Sequence, residues 1–203
     1  MTIYRAIPRR FFARNTVVVA RALLGQLLVH ETPGGRLVGR IVETEAYRGT
    51  DDPASHAHGR TARSAIMFGR PGVAYVYFSY GAHYCLNVVT EGKSRPGAVL
   101  LRALEPLEGI ETMCRRTNPT WTKTTRAGRV ATGPGRLTAC MAVGPQHNGA
   151  DLTTPPLYLA HGRGRRGRIV AGPRIGISVA VARPWRFGLE AHPALSRPFR
   201  APL

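Results

Sequence analysis

Along the first quarter of the chain the apolar residues change period. Between Thr16 and Leu24 the spacing of Val17, Ala20 and Leu24 fits one face of a short helix. Asn15 stands where a side-chain oxygen can cap the first turn, and Gly25 where a left-handed residue can end the last. The next segments, "QLLVHE" and "RLVGRIVETEAY", read as strands joined through the turn residues "TPGG", which is a hairpin signal. Regular alternation along the second strand places Leu37, Gly39, Ile41, Glu43 and Glu45 on one side.

A segment rich in Gly, Asp, His and Arg then runs from Arg48 to Pro71. It is longer than structural connections usually are, which points to function. "VAYVYFSY" and "HYCLNVVT" predict a second hairpin around Gly81-Ala82, and "GAVLLRAL" a third strand after a turn at Arg95-Pro96-Gly97. "EPLEGIETMCRR" predicts a helix started by Pro106, and "GPGRLTACMAV" another with its glycines at the N-terminus. "LYLA" and "IVAGPRIGISV" read as strands around the arginine-glycine loop "HGRGRRGR". With no internal repeat and no linker composition, residues 1–203 are expected to form a single domain. Its class is α+β: a curved, mostly antiparallel sheet with surrounding helices.

Composition narrows the partners. The chain is 43% hydrophobic, enough for one filled core, and carries a formal net charge of +18. Lys93 and Lys123 are its only lysines, so the positive charge is almost all guanidinium, which suits a polyphosphate partner. A coding bias toward Arg, Ala, Gly and Pro would give the same composition, so charge alone does not fix the function. Cys85, Cys114 and Cys140 form no CxxC pair and read as small core residues in a reducing compartment. Arg21 interrupts the most apolar run, so an intracellular protein without a membrane span is expected.

Four of the eleven acids, Glu43, Glu45, Asp51 and Asp52, fall in one short stretch of this basic chain. Glu43 and Glu45 on one strand face would lie about 7 Å apart. A solvated strand end would explain a lone pair of this kind, but Tyr75, Tyr77, Tyr80, Asn87 and Arg102 also collect at neighbouring strand ends. His56 and His58 beside Asp51 and Asp52 make a metal pattern of low specificity, and the two aspartates are read as solvated loop acids. "GPGRL" offers helix N–H groups, with Arg136 beside them, to a phosphate. The "GRGRRGR" run is either a second phosphate contact or a solvated turn.

The blocks "GRIVETEAYRGTDDPASHA", "MFGRPGVAYVYFSYGAHYCLNVV", "AVLLRALEPLEG", "GPGRLTACMAV" and "GPRIGISVAVARPWRF" together resemble the monofunctional alkyladenine (3-methyladenine) DNA glycosylases, in that family's order and over nearly the whole chain. The resemblance implies an open-barrel-like sheet, no metal or other cofactor, and double-stranded DNA containing damaged purines as partner. It implies that Glu45 activates water as general base with Arg102 beside it, and that Glu43 is supporting. Tyr47, His56 and Tyr77 would hold the extruded base, with Tyr75 left to the core, and Asn87 would oppose the exocyclic amino group of guanine. Tyr80 would fill the space in the duplex, less well buttressed because Ala82 is small. The products would be a free purine, alkylated or deaminated, and an abasic site. A monomer is expected, intracellular and not secreted, and cytoplasmic around the nucleoid if the source is prokaryotic. Two other readings stay open: a basic RNA- or ribosome-binding protein without catalysis, and a metal-dependent nuclease using Asp51, Asp52 and His56.

Overall fold

The structure, a computed structural model, describes residues 2–92, 95–118, 120, 122, 129–163 and 167–199. Helix α1 (Thr16–Leu23) begins where the Asn15 side chain accepts the N–H groups of Val17 and Val18, and the chain turns away at Gly25, φ 86°. Val19, Ala20 and Leu23 form its buried face and Val17 is only half-buried, so the face is rotated from the expected one. Leu23 and Leu24 are completely buried, each worth about 1.5–3 kcal/mol of apolar transfer.

Strands β1 (Leu27–Thr32) and β2 (Gly35–Arg48) make the first hairpin, and β3 (Ala74–Ser79) and β4 (His83–Gly92) the second. Strand β5 (Arg95–Glu108) pairs with both β4 and β2. The turn expected at Arg95-Pro96-Gly97 is strand instead: these residues pair with Gly92, Glu91 and Thr90, and positions 93 and 94 lie outside the described residues. Nor does Pro106 start a helix. It sits opposite Gly39 beside a bulge, where a strand tolerates its missing N–H, and helix α2 (Ile110–Thr117) starts behind Gly109 at φ 74°. Helix α3 (Pro134–Cys140) follows Gly133 as its glycines suggest.

Strands β6 (Leu157–Ala160), β7 (Ile169–Gly172) and β8 (Arg186–Leu189) complete the sheet. β6 pairs with β1 and β7 with β8, so the arginine-glycine loop does not close a hairpin; its central residues 164–166 lie outside the described residues. The strand expected through "GPRIGISV" stops at Gly172, and positions 173–185 are irregular. All pairings are antiparallel, in the order β3-β4-β5-β2-β1-β6, with β8 taking up the edge of β2 beyond β1. The curled sheet and its helices give the α+β architecture. No helix of the described residues is long and apolar enough to cross a membrane. Cys85, Cys114 and Cys140 are free and buried.

The centre of the sheet carries an irregularity that decides the site. Ile41 pairs with Leu104, Glu43 with Ala103 and Thr44 with Leu101, which leaves Val42 on β2 and Arg102 on β5 without ladder partners. The two bulges cancel, so the register beyond them is restored. Leu37, Ile41 and Val42 all join the main core, as do Ala46 and, on β5, Leu101 and Ala103. The Thr44 hydroxyl bonds the carbonyl of Ala20 in α1 at 2.9 Å. Glu43 and Glu45 are therefore turned out of the face that Leu37 and Ile41 occupy, contrary to simple alternation. A bulge re-aims side chains in this way, and here it aims two carboxylates away from the apolar core.

Candidate active site

On the side of β2 opposite the core, Glu45 and Glu43 share one guanidinium. Arg102 Nη1 donates to Glu45 Oε2 at 3.2 Å, and its Nε stands 3.4 Å from Glu43 Oε1. Glu43 also receives Arg186 Nε at 2.7 Å, the Ser196 hydroxyl at 2.8 Å and the Ser196 N–H at 2.6 Å. Both carboxylates are fully buried, and the alternating Glu45, Arg102, Glu43 and Arg186 balance one another. A buried charge without such partners would cost several kcal/mol.

Glu45 differs from Glu43 in facing a cavity wall. Its Oε2 also accepts the Tyr47 hydroxyl at 2.8 Å, and its Oε1 accepts the Ile175 N–H at 2.7 Å. Burial pushes the Glu45 carboxyl above the ordinary 4.5, while Arg102, the Ile175 N–H and the Tyr47 hydroxyl pull it back. Burial, together with the Glu45 charge and hydrogen bond, holds the Tyr47 phenol well above its usual value, so it remains a donor. Burial lowers Arg102 and the two glutamates more than compensate, so the guanidinium stays charged.

In front of this pair lies a cavity of about 350 Å³ that Tyr47, His56, Tyr75, Tyr77, Asn87 and Arg102 help to line. The His56 and Tyr77 rings lie 4.8 Å apart, and Tyr75 and Tyr77 5.2 Å. His56 Nδ1 is 2.8 Å from the Tyr75 hydroxyl. Burial lowers the His56 pKa and Arg63 adds to the effect, which leaves the ring neutral near pH 7. Burial raises Tyr75 and Tyr77. The rings are thus uncharged π surfaces suited to a flat base, while Arg63, 4.6 Å over the Tyr77 ring, and Arg102 add positive charge to the lining. The Asn87 amide donates to the Tyr75 carbonyl at 3.0 Å. Tyr75 is buried, as its core reading expects, yet it also lines the cavity.

At the rim, Tyr80 is 81% exposed with φ 51°, and Gly81 follows at φ 62°. A hydrogen bond from Ala82 N–H to the Ser79 carbonyl closes the turn, whose two central residues share the positive φ of a type I′ hairpin. A tyrosine held there carries backbone strain, which clusters at functional sites. Its hydroxyl donates to the Gly176 carbonyl at 2.9 Å, and its ring stands 6.5 Å from that of His83. Ala82 is exposed. Arg136 does not line the cavity; it is exposed on α3 with Nη1 3.3 Å from the Arg129 carbonyl, although Pro134 of the same helix reaches the wall. Only Gly fits at 135, where a Cβ would come within 2.7 Å of the His83 ring, so this helix start lies close against β4.

The expectation that Asp51 and Asp52 are both solvated is wrong for Asp52. Its carboxylate is fully buried and takes two bonds from Arg174, Nη1 to Oδ2 at 2.6 Å and Nη2 to Oδ1 at 2.8 Å. Asp51 is exposed. His58 Nδ1 turns to the Thr50 carbonyl at 2.6 Å, so the histidines and aspartates of this loop do not converge on one point. Glu45 also lies one layer behind the cavity wall, not at its mouth. Residue-by-residue reading missed Arg174, Ile175, Arg186 and Ser196. Asp52 and Arg174 are 122 positions apart, and no local spacing links them.

Comparison with known proteins gives the chain a family. The sequence profile of the methylpurine-DNA glycosylase family matches residues 10–193. A protein of Rhodopseudomonas palustris is 49% identical over 95% of this chain and 92% of its own length. One of Anaeromyxobacter dehalogenans is 47% identical over 95% and 87%, and one of Methanocella arvoryzae 47% identical over 97% of each. All three are provisionally named as 3-methyladenine DNA glycosylases.

Proposed function

Since the chain belongs to the methylpurine-DNA glycosylase family, we propose that it extrudes an alkylated or deaminated purine nucleotide from duplex DNA and hydrolyses its N-glycosidic bond. The observation that carries this is the buried Glu45 carboxylate, held by Arg102, Tyr47 and the Ile175 N–H directly behind an aromatic cavity.

A base in B-form DNA is out of reach until it leaves the stack, which costs a few kcal/mol. Tyr80, exposed on its hairpin tip, fills the gap and offsets part of that loss by stacking. The extruded purine enters between Tyr47, Tyr77 and His56. Alkylation at a ring nitrogen leaves it cationic, so the aromatic faces of the pocket attract it and the glycosidic bond already has a good leaving group. Asn87, fixed by its bond to the Tyr75 carbonyl, stands against an exocyclic amino group of an intact guanine.

Each carboxylate oxygen has two acceptor positions, and Oε1 of Glu45 receives one donor among the described residues, which leaves capacity for a water. Glu45 takes the proton as the water attacks C1′, and Arg102 keeps the carboxylate ionised and oriented. The purine departs and an abasic site remains. The reaction needs no lysine nucleophile and no Schiff base, because water is the attacking group. Every group invoked comes from one chain, so a monomer suffices. The surface guanidinium groups, Arg136 among them, hold the phosphates without reading sequence.

Incubation with alkylated duplex in the presence of a chelator tests the reading. Wild-type protein releases free purine, and Glu45→Gln loses on the order of 10²-fold or more in rate while still binding the damaged duplex. Near-normal release by Glu45→Gln would reject the assigned base. Binding with no release at all by the wild type would favour a non-catalytic nucleic-acid binder, and chelator-sensitive backbone cleavage a nuclease.

A further inference from the structure

The irregular chain between β7 and β8 is fastened inside the protein by one side chain. Arg174 is buried, and besides its two bonds to Asp52 it donates through Nη1 to the carbonyl of Ala46 at 3.0 Å. Its guanidinium lies 4.8 Å from the Tyr47 ring and 5.3 Å from that of Trp185. Ala46 is the residue between Glu45 and Tyr47, and its N–H bonds the Trp185 carbonyl at 2.8 Å. The residue after Arg174 supplies the N–H on Glu45. A fully buried ion pair usually adds little stability over an apolar pair of similar size, so stability alone does not account for Asp52 and Arg174. A two-bond fork does fix orientation.

We propose that Asp52 and Arg174 are positioning residues: the pair fixes the Ile175 N–H on Glu45 and backs the Tyr47 ring, setting the geometry of the base without touching substrate. The inference rests on Glu45 acting as proposed above. The charged and titratable groups facing Glu45 are Glu43 and Tyr47 from β2, Arg102 from β5 and Cys85 from β4, and the Ile175 N–H completes its surroundings. Loosening the loop removes a donor that stabilises the ionised carboxylate, which raises its pKa. Deleting the Asp52 charge without moving the loop does the reverse, because one fewer negative charge lies nearby. The sign of the change therefore separates positioning from simple electrostatics.

The test is single-turnover purine release as a function of pH for wild type, Asp52→Asn and the double variant Asp52→Leu/Arg174→Met, which leaves no buried charge unpaired. Thermal melting and binding to damaged duplex are measured alongside. We expect both variants to bind duplex as the wild type does, to lose roughly 10- to 100-fold in rate, and to show an acid limb displaced upward by about one pH unit. An acid limb that stays in place or moves down overturns the proposal, as does failure of both variants to fold. If only the single variant fails to fold, the double variant decides. Wild-type protein that releases no purine overturns the parent reading instead.

Discussion

Glu43 and Glu45 have the same side chain, the same strand and the same degree of burial, and what separates them is the donors each one meets. Glu43 accepts from Arg186 and twice from Ser196, neither of which lines the cavity, whereas all three donors to Glu45, namely Tyr47, Arg102 and Ile175, do line it. Glu45 keeps a free position on Oε1 and a raised pKa, both of which a base requires. Protonation below that pKa removes the base, so the acid limb of kcat/KM for a cationic lesion should lie above the ordinary glutamate value of 4.5, with activity lost as pH falls through it. A pH–rate profile flat down to pH 4.5 would show that Glu45 is not the titrating group. The presence of Glu45 and Arg102 in the site was legible through the motif blocks. Asp52 was not, because its partner is remote in sequence and a carboxylate next to Pro53 has the composition of an ordinary turn.

At the scale of elements, helix α1 and the two hairpins could be read because caps and turn residues are local signals. The bulged crossing of β2 and β5 could not be read, since an inserted residue looks like any other until the partner strand is known. Strand β8 was hidden for a related reason: "RFGL" is short, and its place in the sheet depends on pairing with residues 43–45. Pro106 was misread because a proline beside a bulge and a proline starting a helix have the same sequence environment. The β3–β4 hairpin carries its own prediction. Tyr80 stands at its tip, so Tyr80→Ala should weaken binding to damaged duplex more than to the same lesion in single-stranded DNA, where no stack needs refilling. Measured side by side, equal losses on the two substrates would deny it the wedge role.

For the molecule as a whole, the charge of +18 lies mostly on arginines that are not used in the buried array. Duplex affinity should therefore fall steeply and linearly on a logarithmic salt scale, with a slope of about −0.9 per phosphate neutralised. Arg136→Gln should reduce that slope by about one if the start of α3 meets the backbone. An unchanged slope in a filter-binding or fluorescence titration would remove Arg136 from the interface. Single-turnover release from preformed complex should vary far less with salt, because the Glu45, Arg102, Glu43 and Arg186 array is shielded from mobile ions.

Ser196 sits far along the chain from the acids it serves, yet its N–H and hydroxyl both close on Glu43. Glu43 in turn steadies Arg102, so tension applied near position 197 is transmitted through Ser196, Glu43 and Arg102 to the Glu45 carboxylate. A fusion junction inserted directly behind that serine would therefore act on the Glu45–Arg102 pair as a substitution there does.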